Sequence, residues 1–407
     1  MQFPLFTARR LAFGQASFSS LIIRLGIAAV SISIAVMILA IGIMGGYKHE
    51  ITEKITGFNA HLLINALDFN ESYEARPIPA QEPYREALDH HPEVINTQVF
   101  IQKAGIIKTE EFIEGIILKG IGADYDTFFL NRSLVRGRLP HVSDSLETTE
   151  LALSKYTANK LRLDTGQKIT VVFIQQDNQP VRIRRFDITG IFETGLDNYD
   201  KTFGIVDLRQ MRRLYGWGED QVEGIEVRIK NFSRLDSVTN ELAGLIPPIY
   251  QVKNTRQMRP QIFDWLSLLD TNVAIILTLM IIVAAINIIT ALLILILERT
   301  NMVGILKALG SRDAQIRQIF LWKAGYLILL GLFYGNLAGL GLGFIQKYSG
   351  LIKLDPASYY LNHVPFSIEL WPLLAINVGT FLFCLLCLLL PARIISSISP
   401  VKAIQFD

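Results

Sequence analysis

The side chains with the clearest functional spacing lie in a short charged segment, residues 298–312, between two long apolar stretches. Apolar residues recur there at i, i+3, i+4 and i+7, which puts them on one face of a helix: Met302, Ile305, Leu306 and Leu309. Gly310 predicts the end of this helix, and Ser311 is suited to cap the next one. Because so short a helix has little stability alone, the stripe predicts docking onto a partner.

Residue types that could carry catalysis or bind a metal do not fall at useful spacings. The sequence has no G-x-x-x-x-G-K-S/T phosphate loop, no H-E-x-x-H motif and no G-x-S-x-G motif. His90 and His91 lie in a polar stretch next to Pro92, which is typical of a solvated surface. Cys384 and Cys387 fall within an apolar stretch, where packing is the usual role of cysteine. We therefore predict a protein that is not an enzyme, holds no metal and binds no cofactor of its own.

Four stretches without charged side chains predict four transmembrane helices. Half of the 407 residues are hydrophobic and only 19% are charged. Asp, Glu, Lys and Arg are absent from residues 25–47, 271–297, 324–346 and 370–392. Each stretch has at least 23 residues, and about 20 suffice to cross the hydrocarbon core as a helix. The net charge of +2 is too small to indicate binding of nucleic acid.

The spacing of these stretches predicts a 1+3 arrangement, with a large α+β extracytoplasmic domain between helices 1 and 2. Lys and Arg dominate residues 1–24 and 298–323, which places these segments and both termini in the cytoplasm. The predicted order is an amphipathic N-terminal segment (1–24), helix 1 (25–47), the α+β domain (48–266), helix 2 (267–297) and a short cytoplasmic helix (298–316). Helix 3 (317–347), an extracytoplasmic loop (348–367), helix 4 (368–392) and a cytoplasmic tail (393–407) follow.

The extracytoplasmic domain shows both strand and helix patterns. Alternating polar and apolar residues predict strands at 113–120, 168–174, 181–188 and 222–229. Helices are predicted at 154–161, 208–215 and 234–245, and residues 65–85 as a loop or mobile insert. Because about 220 residues exceed a comfortable single core, we expect two subdomains.

The predicted spans lack the ionisable groups that ion-coupled transporters place at membrane depth. Such a protein must take its energy from a partner. The third span repeats glycine every four residues, which lets a neighbouring helix approach closely: Gly331, Gly335, Gly339 and Gly343. This row fits packing within the chain's own helices, or a seam with a second copy.

The plan of the chain resembles that of FtsX/MacB-like ABC transporter permeases. The resemblance is carried by the hinge 298–310, the closing pattern 391–404 and the domain segments 153–168 and 190–195. It implies that the hinge is a coupling helix docking into a separate cytoplasmic ABC ATPase dimer, which uses ATP and Mg. The residues that it assigns to coupling are Glu298, Met302, Gly304, Ile305, Leu306, Lys307, Leu309 and Gly310.

A narrower resemblance, to LolC/LolE-type lipoprotein-releasing permeases, rests on the segments 44–51, 195–200 and 354–365. It implies extraction of acylated lipoproteins from the bacterial inner membrane and their transfer to a periplasmic carrier. By analogy, two permeases, identical copies or sisters, would enclose an apolar cavity open to the outer leaflet. The candidate cavity residues are Ile27, Val30, Ile34, Met37 and Ile41 on the first span and Leu269, Val273, Ile276 and Met280 on the second.

Two other functions stay open within the same superfamily. A MacB-like exporter would transmit motion to periplasmic molecules without moving substrate through the membrane. An FtsX-like regulator would activate periplasmic hydrolases, although the extracytoplasmic domain is larger than such a regulator usually carries. The segments 195–200 and 354–365 favour lipoprotein release.

Overall fold

The computed structural model describes residues 18–67, 75–109, 111–143, 147–174, 180–355 and 359–392. These residues form two compact units. The helical unit comprises the chain up to His49, Trp265–Lys353 and the chain from His363, and the sheet unit comprises Glu50–Asp264 and Leu354–Asn362. Most of the predicted amphipathic segment 1–24 and the predicted tail 393–407 lie outside the described residues.

The helices, in chain order, are α1 (Phe18–Asn59), α2 (Pro83–Asp89), α3 (Phe128–Arg132), α4 (Lys155–Leu161), α5 (Asp197–Asp200), α6 (Leu208–Tyr215), α7 (Leu235–Leu245), α8 (Thr255–Met258), α9 (Pro260–Glu298), α10 (Thr300–Ala308), α11 (Asp313–Ser349), α12 (Leu370–Cys387) and α13 (Leu389–Ala392). The strands are β1 (Leu62–Ala66), β2 (Ile78–Pro79), β3 (Val94–Lys108), β4 (Ile113–Ile121), β5 (Leu134–Gly137), β6 (Glu150–Ser154), β7 (Lys168–Phe173), β8 (Arg182–Phe192), β9 (Phe203–Asp207), β10 (Gln221–Val222), β11 (Gly224–Ile229) and β12 (Tyr250–Asn254).

Four helical segments are long and apolar enough to cross a membrane: Ile23–Asn59, Pro260–Glu298, Asp313–Ser349 and Leu370–Ala392. This result confirms the four apolar helices predicted from the charge-free stretches. The helices α1, α9 and α11 continue beyond those stretches, because charged side chains at a helix end do not interrupt its backbone hydrogen bonds.

A pair of amides joins α11 and α12 in the helical unit. Asn336 Nδ2 donates to Asn377 Oδ1 at 2.6 Å, and Asn377 Nδ2 donates to Asn336 Oδ1 at 3.0 Å. Each amide also donates to the carbonyl four residues earlier in its own helix. Since polar groups between apolar helices need partners, this reciprocal pair fixes the register of the two helices.

One ten-stranded sheet forms the body of the sheet unit, in the order β12-β1-β11-β3-β4-β9-β6-β8-β5, with β7 paired to β3 and β8. The 15-residue strand β3 makes the sheet continuous because it pairs with β11, β4 and β7. A buried apolar cluster with members from Leu62 to Ile246 lies between this sheet and the helices packed on it. The expectation of two subdomains is therefore wrong, since long strands share one core.

The predicted elements of this unit are confirmed as β4, β7, β8, the pair β10–β11, and the helices α4, α6 and α7. Within the predicted insert 65–85, residues 78–79 form β2 and residue 83 begins α2. Residues 68–74 of that insert lie outside the described residues.

The chain enters and leaves the sheet through neighbouring strands. β1 pairs antiparallel with β12, from Leu62 opposite Asn254 to Ala66 opposite Tyr250. The Thr255 hydroxyl donates to the His61 carbonyl at 2.6 Å. The segment that follows α1 and the segment that precedes α9 are therefore bonded directly to each other.

A buried cation fixes the end of α1 to the sheet. The Lys119 side chain is fully buried, and its Nζ donates to Glu226 Oε1 at 2.6 Å and to the Phe58 carbonyl at 2.8 Å. The Tyr125 hydroxyl donates to the same carbonyl at 2.9 Å. Burial lowers the pKa of Lys119, and the neighbouring Glu226 carboxylate opposes that shift. A positive charge at the C-terminal turn of a helix is also favoured by the helix dipole.

Replacing Lys119 with Met should lower the free energy of unfolding of the sheet unit by about 3–5 kcal/mol, because the Glu226 carboxylate would stay buried without its partner. The double variant Lys119→Met/Glu226→Leu should recover most of this loss, since an apolar pair needs no compensating charge. Denaturant unfolding followed by circular dichroism measures both changes. A single variant as stable as the wild type would contradict a structural role for this ion pair.

His61 makes the stability of the sheet unit depend on pH. Its Nδ1 accepts a hydrogen bond from the Ile229 N–H at 2.9 Å, which requires that Nδ1 carries no proton. Burial, assisted by the Arg228 charge, lowers the pKa of His61 to about 4. The pKa of histidine in an unfolded chain is about 6.5, so the unfolded state takes up this proton first as the pH falls.

The contribution of His61 to stability should be complete above about pH 6.5 and should be lost as the pH falls toward the folded pKa of about 4. Between pH 7 and pH 5 the loss should be about 2 kcal/mol. His61→Asn keeps an acceptor near the position of Nδ1 but does not titrate, so it should lose less stability over this interval. Unfolding midpoints of both proteins at the two pH values provide the measurement, and identical pH dependence would refute the assignment.

Candidate functional site

The short helix α10 carries the predicted coupling stripe, and packing divides this stripe between two faces. The residues that lie wholly or partly against the core of the helical unit are Met302, Val303, Gly304 and Leu306. Ile305 and Leu309 face outward, with 52% and 77% of their surface exposed. These two exposed apolar side chains form the candidate docking face of α10.

Asn301 and Ala308 are exposed on the same face of α10 as Ile305. The apolar stripe alone did not identify them, because a polar and a small side chain add nothing to a hydrophobic pattern. Of the other residues assigned to coupling, Glu298 and Gly310 are exposed at the two ends of the segment. Lys307 is mostly buried and pairs with Asp313 at 3.0 Å, across the turn to α11.

Gly310 ends α10, as predicted. Its φ is +87°, and the Ser311 N–H donates to the Leu306 carbonyl at 3.0 Å, which is typical of a glycine-terminated helix. The prediction that Ser311 caps the next helix is wrong. Arg312 holds the N-cap position of α11, and its N–H donates to Gln315 Oε1 at 3.1 Å, so the capping group comes from within the helix.

The row of glycines on α11 lets α1 pack closely against it. A Cβ atom at Gly331 would lie 2.6 Å from Val30 Cγ1, and one at Gly335 would lie 2.6 Å from Ile34 Cβ. The row continues with Gly339 against Ala35 and Ile38, and Gly343 against Phe366. Side chains at these positions would push the neighbouring groups away, so in this structure the row serves packing within the helical unit.

The candidate cavity residues differ in exposure. Val30, Ile34 and Met37 are fully buried in the helical unit, so their side chains contact protein rather than a free surface. The remaining candidates keep partly or largely exposed side chains: Ile27, Ile41, Leu269, Val273, Ile276 and Met280. A second exposed stripe on α9 was not identified from the sequence: Leu268, Ile275, Leu279, Ile282 and Ile286. Because α9 is apolar on every side, its sequence carries no periodic signal that separates an exposed face from a buried one.

Polar and aromatic contacts join α1 to α9 within the helical unit. Lys48 forms an ion pair with Asp270. The Tyr47 and Trp265 rings meet edge to face with their centroids 5.6 Å apart. Lys48 follows the first charge-free stretch and Asp270 precedes the second, so these contacts fix the separation of the two helices at one end of their apolar segments.

Two of the three segments with the narrower resemblance meet α1 in the sheet unit. Lys54 lies on α1 one turn beyond segment 44–51, and its Nζ donates to the Tyr360 carbonyl at 2.7 Å. Gly195 lies against the same ammonium group. The sequence gives no sign of this proximity, because the three positions are separated by more than a hundred residues.

One histidine lies beside a carboxylate side chain. His91 Nε2 lies 3.3 Å from Glu241 Oε2. Over the described residues, no group of three or more His, Cys, Asp or Glu side chains is placed to hold a metal ion. The candidate functional features are the candidate docking face of α10, the exposed apolar faces of α1 and α9, and the contact around Lys54.

A sheet domain follows the first of four helices that are long and apolar enough to cross a membrane, and a short helix with exposed apolar side chains follows the second. Sequence comparisons place the chain in the class of ABC transporter membrane permeases. The sequence matches the MacB-like periplasmic core domain over residues 25–245 and the FtsX-like permease C-terminal region over residues 274–400. The chain belongs to the FtsX/MacB-like permease family.

Individual relatives cover nearly the whole chain. The lipoprotein-releasing system transmembrane protein LolC of Xylella fastidiosa is 21% identical over 96% of this chain and 95% of its own length. The lipoprotein-releasing system transmembrane protein LolE of Haemophilus influenzae is 21% identical over the full length of both chains. The macrolide export ATP-binding/permease protein MacB of Bartonella henselae is 24% identical over 93% of this chain and 56% of its own length.

Gly335→Ala should destabilise the helical unit by about 1–3 kcal/mol, because the new methyl group would lie 2.6 Å from Ile34 Cβ and 2.8 Å from the Ser31 carbonyl. Gly341 on the same helix provides the control, since no atom beyond its own stretch of helix lies within 4 Å of its Cβ position. Gly341→Ala should be neutral or stabilise by up to about 1 kcal/mol. Thermal unfolding of both variants in one detergent measures the difference. Equal midpoints would contradict the close approach of α1 to α11.

Proposed function

We propose that this chain is the transmembrane permease subunit of an ABC transporter that extracts lipoproteins from the inner membrane and transfers them to a periplasmic carrier. The observation that carries the proposal is similarity along the whole chain: two relatives named as lipoprotein-releasing transmembrane proteins cover 96% and 100% of it. The contact of Lys54 with Gly195 and Tyr360 supports it, because Gly195 and Tyr360 belong to segments that resemble this branch of the family.

The energy for extraction comes from a separate ATPase. The sequence has no phosphate loop, which supports this part of the proposal. The exposed face of α10, formed by Ile305 and Leu309, docks onto a cytoplasmic ABC ATPase dimer that binds ATP and Mg.

The excess of Lys and Arg in residues 298–323 supports a membrane orientation with α10 in the cytoplasm. In this orientation the helices cross the bacterial inner membrane in a 1+3 arrangement, and both termini are cytoplasmic. The sheet unit then lies in the periplasm. A second permease, identical or a sister, completes the transporter.

Acyl chains explain why extraction needs energy. Each CH₂ group buried in a bilayer contributes about 0.8 kcal/mol, so a triacylated protein does not leave unaided on a useful timescale. The exposed apolar side chains of α1 and α9, among them Ile276, would line a cavity for these chains between two permeases. Closure of the ATPase dimer would move α10, narrow the cavity and shift the periplasmic domains toward the carrier.

A MacB-like exporter, which transmits motion without moving substrate through the membrane, is the second candidate. The match to the MacB-like periplasmic core domain over residues 25–245 and the MacB relative at 24% identity favour it. The two functions differ in one measurable respect, since only lipoprotein release changes the distribution of mature lipoproteins between the inner and outer membranes.

Ile305→Asp and Leu309→Asp should each weaken ATPase association by at least about 1.4 kcal/mol, a factor of ten, because docking would bury a carboxylate without a partner. Cells that carry either variant as their only copy should accumulate mature acylated lipoproteins in the inner membrane. Co-purification of the ATPase and fractionation of the two membranes give the two measurements.

Ile305→Leu and Leu309→Met keep the docking face apolar and serve as matched controls with wild-type behaviour. All four variants must reach the membrane at equal levels. Normal ATPase association of both Asp variants would refute the docking face. If ATPase association is lost but lipoprotein sorting stays normal, the docking face is supported. The MacB-like function then replaces lipoprotein release.

A further inference from the structure

Lys54 joins parts of the chain that are far apart in sequence. It lies on α1, in the part of that helix that belongs to the sheet unit. Its ammonium group donates to the Tyr360 carbonyl at 2.7 Å, across 306 residues. Tyr360 lies in Leu354–Asn362, the middle part of the connection between α11 and α12, and this part also belongs to the sheet unit. One side chain therefore holds the connection between two long helices against the end of a third.

The position beside this ammonium group requires glycine. Gly195 has a φ of +72°, and a Cβ atom there would lie 2.5 Å from Lys54 Nζ. A side chain at this position would displace the ammonium group. Asp200 holds Gly195 in place, because its carboxylate accepts hydrogen bonds from the Gly195 N–H at 3.0 Å and the Thr194 N–H at 2.9 Å.

Three carboxylates lie near the Lys54 ammonium group, and two of them also bind elsewhere. Glu50, Asp200 and Glu193 are its acidic neighbours. Asp200 accepts from the backbone of residues 194 and 195, and Glu193 pairs with Lys155 at 2.8 Å. The Lys54 ammonium group, which these carboxylates attract, therefore also binds the backbone carbonyl of Tyr360.

The Tyr360 carbonyl belongs to a residue with an uncommon backbone conformation. Tyr360 has a φ of +60°, which is uncommon for a residue with a side chain. The next residue, Leu361, is 2% exposed, and the Leu354 N–H donates to the Asn362 carbonyl at 3.0 Å. A rare backbone conformation that is held by its surroundings indicates a functional constraint.

We infer that Lys54 is a positioning residue that fastens residues 359–362, in the connection between α11 and α12, to the rest of the sheet unit, so that these residues move with it during transport. The effect on transport rests on the proposed function, whereas the fastening itself does not. Because the hydrogen bond goes to a main-chain carbonyl, it depends on the backbone at Tyr360 rather than on the side chain of that residue.

Hydrogen–deuterium exchange of the full-length protein in nanodiscs tests the fastening. Lys54→Met keeps the length of the side chain and removes its charge and donors, so exchange in peptides covering residues 354–362 should rise about tenfold. Gly195→Ala should act in the same direction, because its methyl group would displace Lys54 Nζ. Lys54→Arg retains a donor and should stay closer to the wild type.

Lys48→Met is the matched control, since Lys48 lies six residues earlier on the same helix and pairs with Asp270. It should leave exchange at residues 354–362 unchanged. Exchange in β3 should stay at the wild-type level in all variants, which separates loosening of this segment from general unfolding of the sheet. Unchanged exchange at 354–362 in both Lys54→Met and Gly195→Ala would overturn the inference.

A transport assay tests the effect on function: the same variants are combined with the cognate ATPase and an acylated lipoprotein substrate, and ATP hydrolysis and lipoprotein release are measured. Lys54→Met should hydrolyse ATP at the wild-type rate but release several-fold less lipoprotein per ATP. If the wild type itself releases no lipoprotein, the proposed function fails while the exchange result still stands. If exchange rises but release per ATP is normal, the coupled movement of this connection is refuted.

Discussion

The structure depends on one continuous helix that must satisfy two different environments. Over most of its length α1 packs among apolar helices, where the glycines of α11 let it approach closely. Its last turns belong to the sheet unit, where the Lys119 ammonium group binds the Phe58 carbonyl. Van der Waals contacts hold the part of α1 in the helical unit, and the Lys119 ammonium group, paired with Glu226, holds its last turns. Each solution suits its surroundings, because buried apolar helices gain from close packing and a helix end needs hydrogen-bond donors for its last carbonyls.

The short helix α10 also meets two environments, because some of its apolar side chains are buried and others are exposed. Half of its apolar stripe packs inward, which gives a nine-residue helix the tertiary contacts that it needs to persist. The other half stays exposed at Ile305 and Leu309. The Lys307–Asp313 pair ties the helix to the start of α11, so α10 is attached at both ends to long helices. Packing contacts and an ion pair therefore hold this short helix in place.

Much of the architecture could be predicted from the sequence, because the strongest signals are local. A run of residues without charge identifies a helix of membrane length, and alternation identifies β4, β7 and β8. The strand β3 was missed because polar residues such as Asn96 and Gln98 interrupt its apolar pattern, although both faces of much of the strand are buried. Alternation also places Lys119 among exposed positions, since it shares a face with Ile113 and Gly115. Only a partner on a distant strand, Glu226, explains its burial.

The candidate site shows the same limit. The coupling stripe was visible as a pattern, but its division into buried and exposed residues depends on neighbouring helices. Val30 and Ile34 show this most clearly, because an apolar residue on a membrane helix can face lipid, a cavity or another helix with the same local sequence. Their contacts with Gly331 and Gly335 lie about 300 residues away along the chain. The bond between Lys54 and Tyr360 is likewise set by tertiary structure alone.

The pairing of β1 has a consequence for biogenesis. Both neighbours of this strand come late in the chain, since β1 pairs with β11 and β12. During synthesis, β1 emerges long before either partner exists, and its hydrogen-bonding edges stay open until residues 224–254 have been made. Contacts of such high sequence separation form slowly. An exposed strand next to a membrane helix is a ready site for wrong pairing. Residues 224–254 must therefore be made before β1 can take its place between its two partner strands.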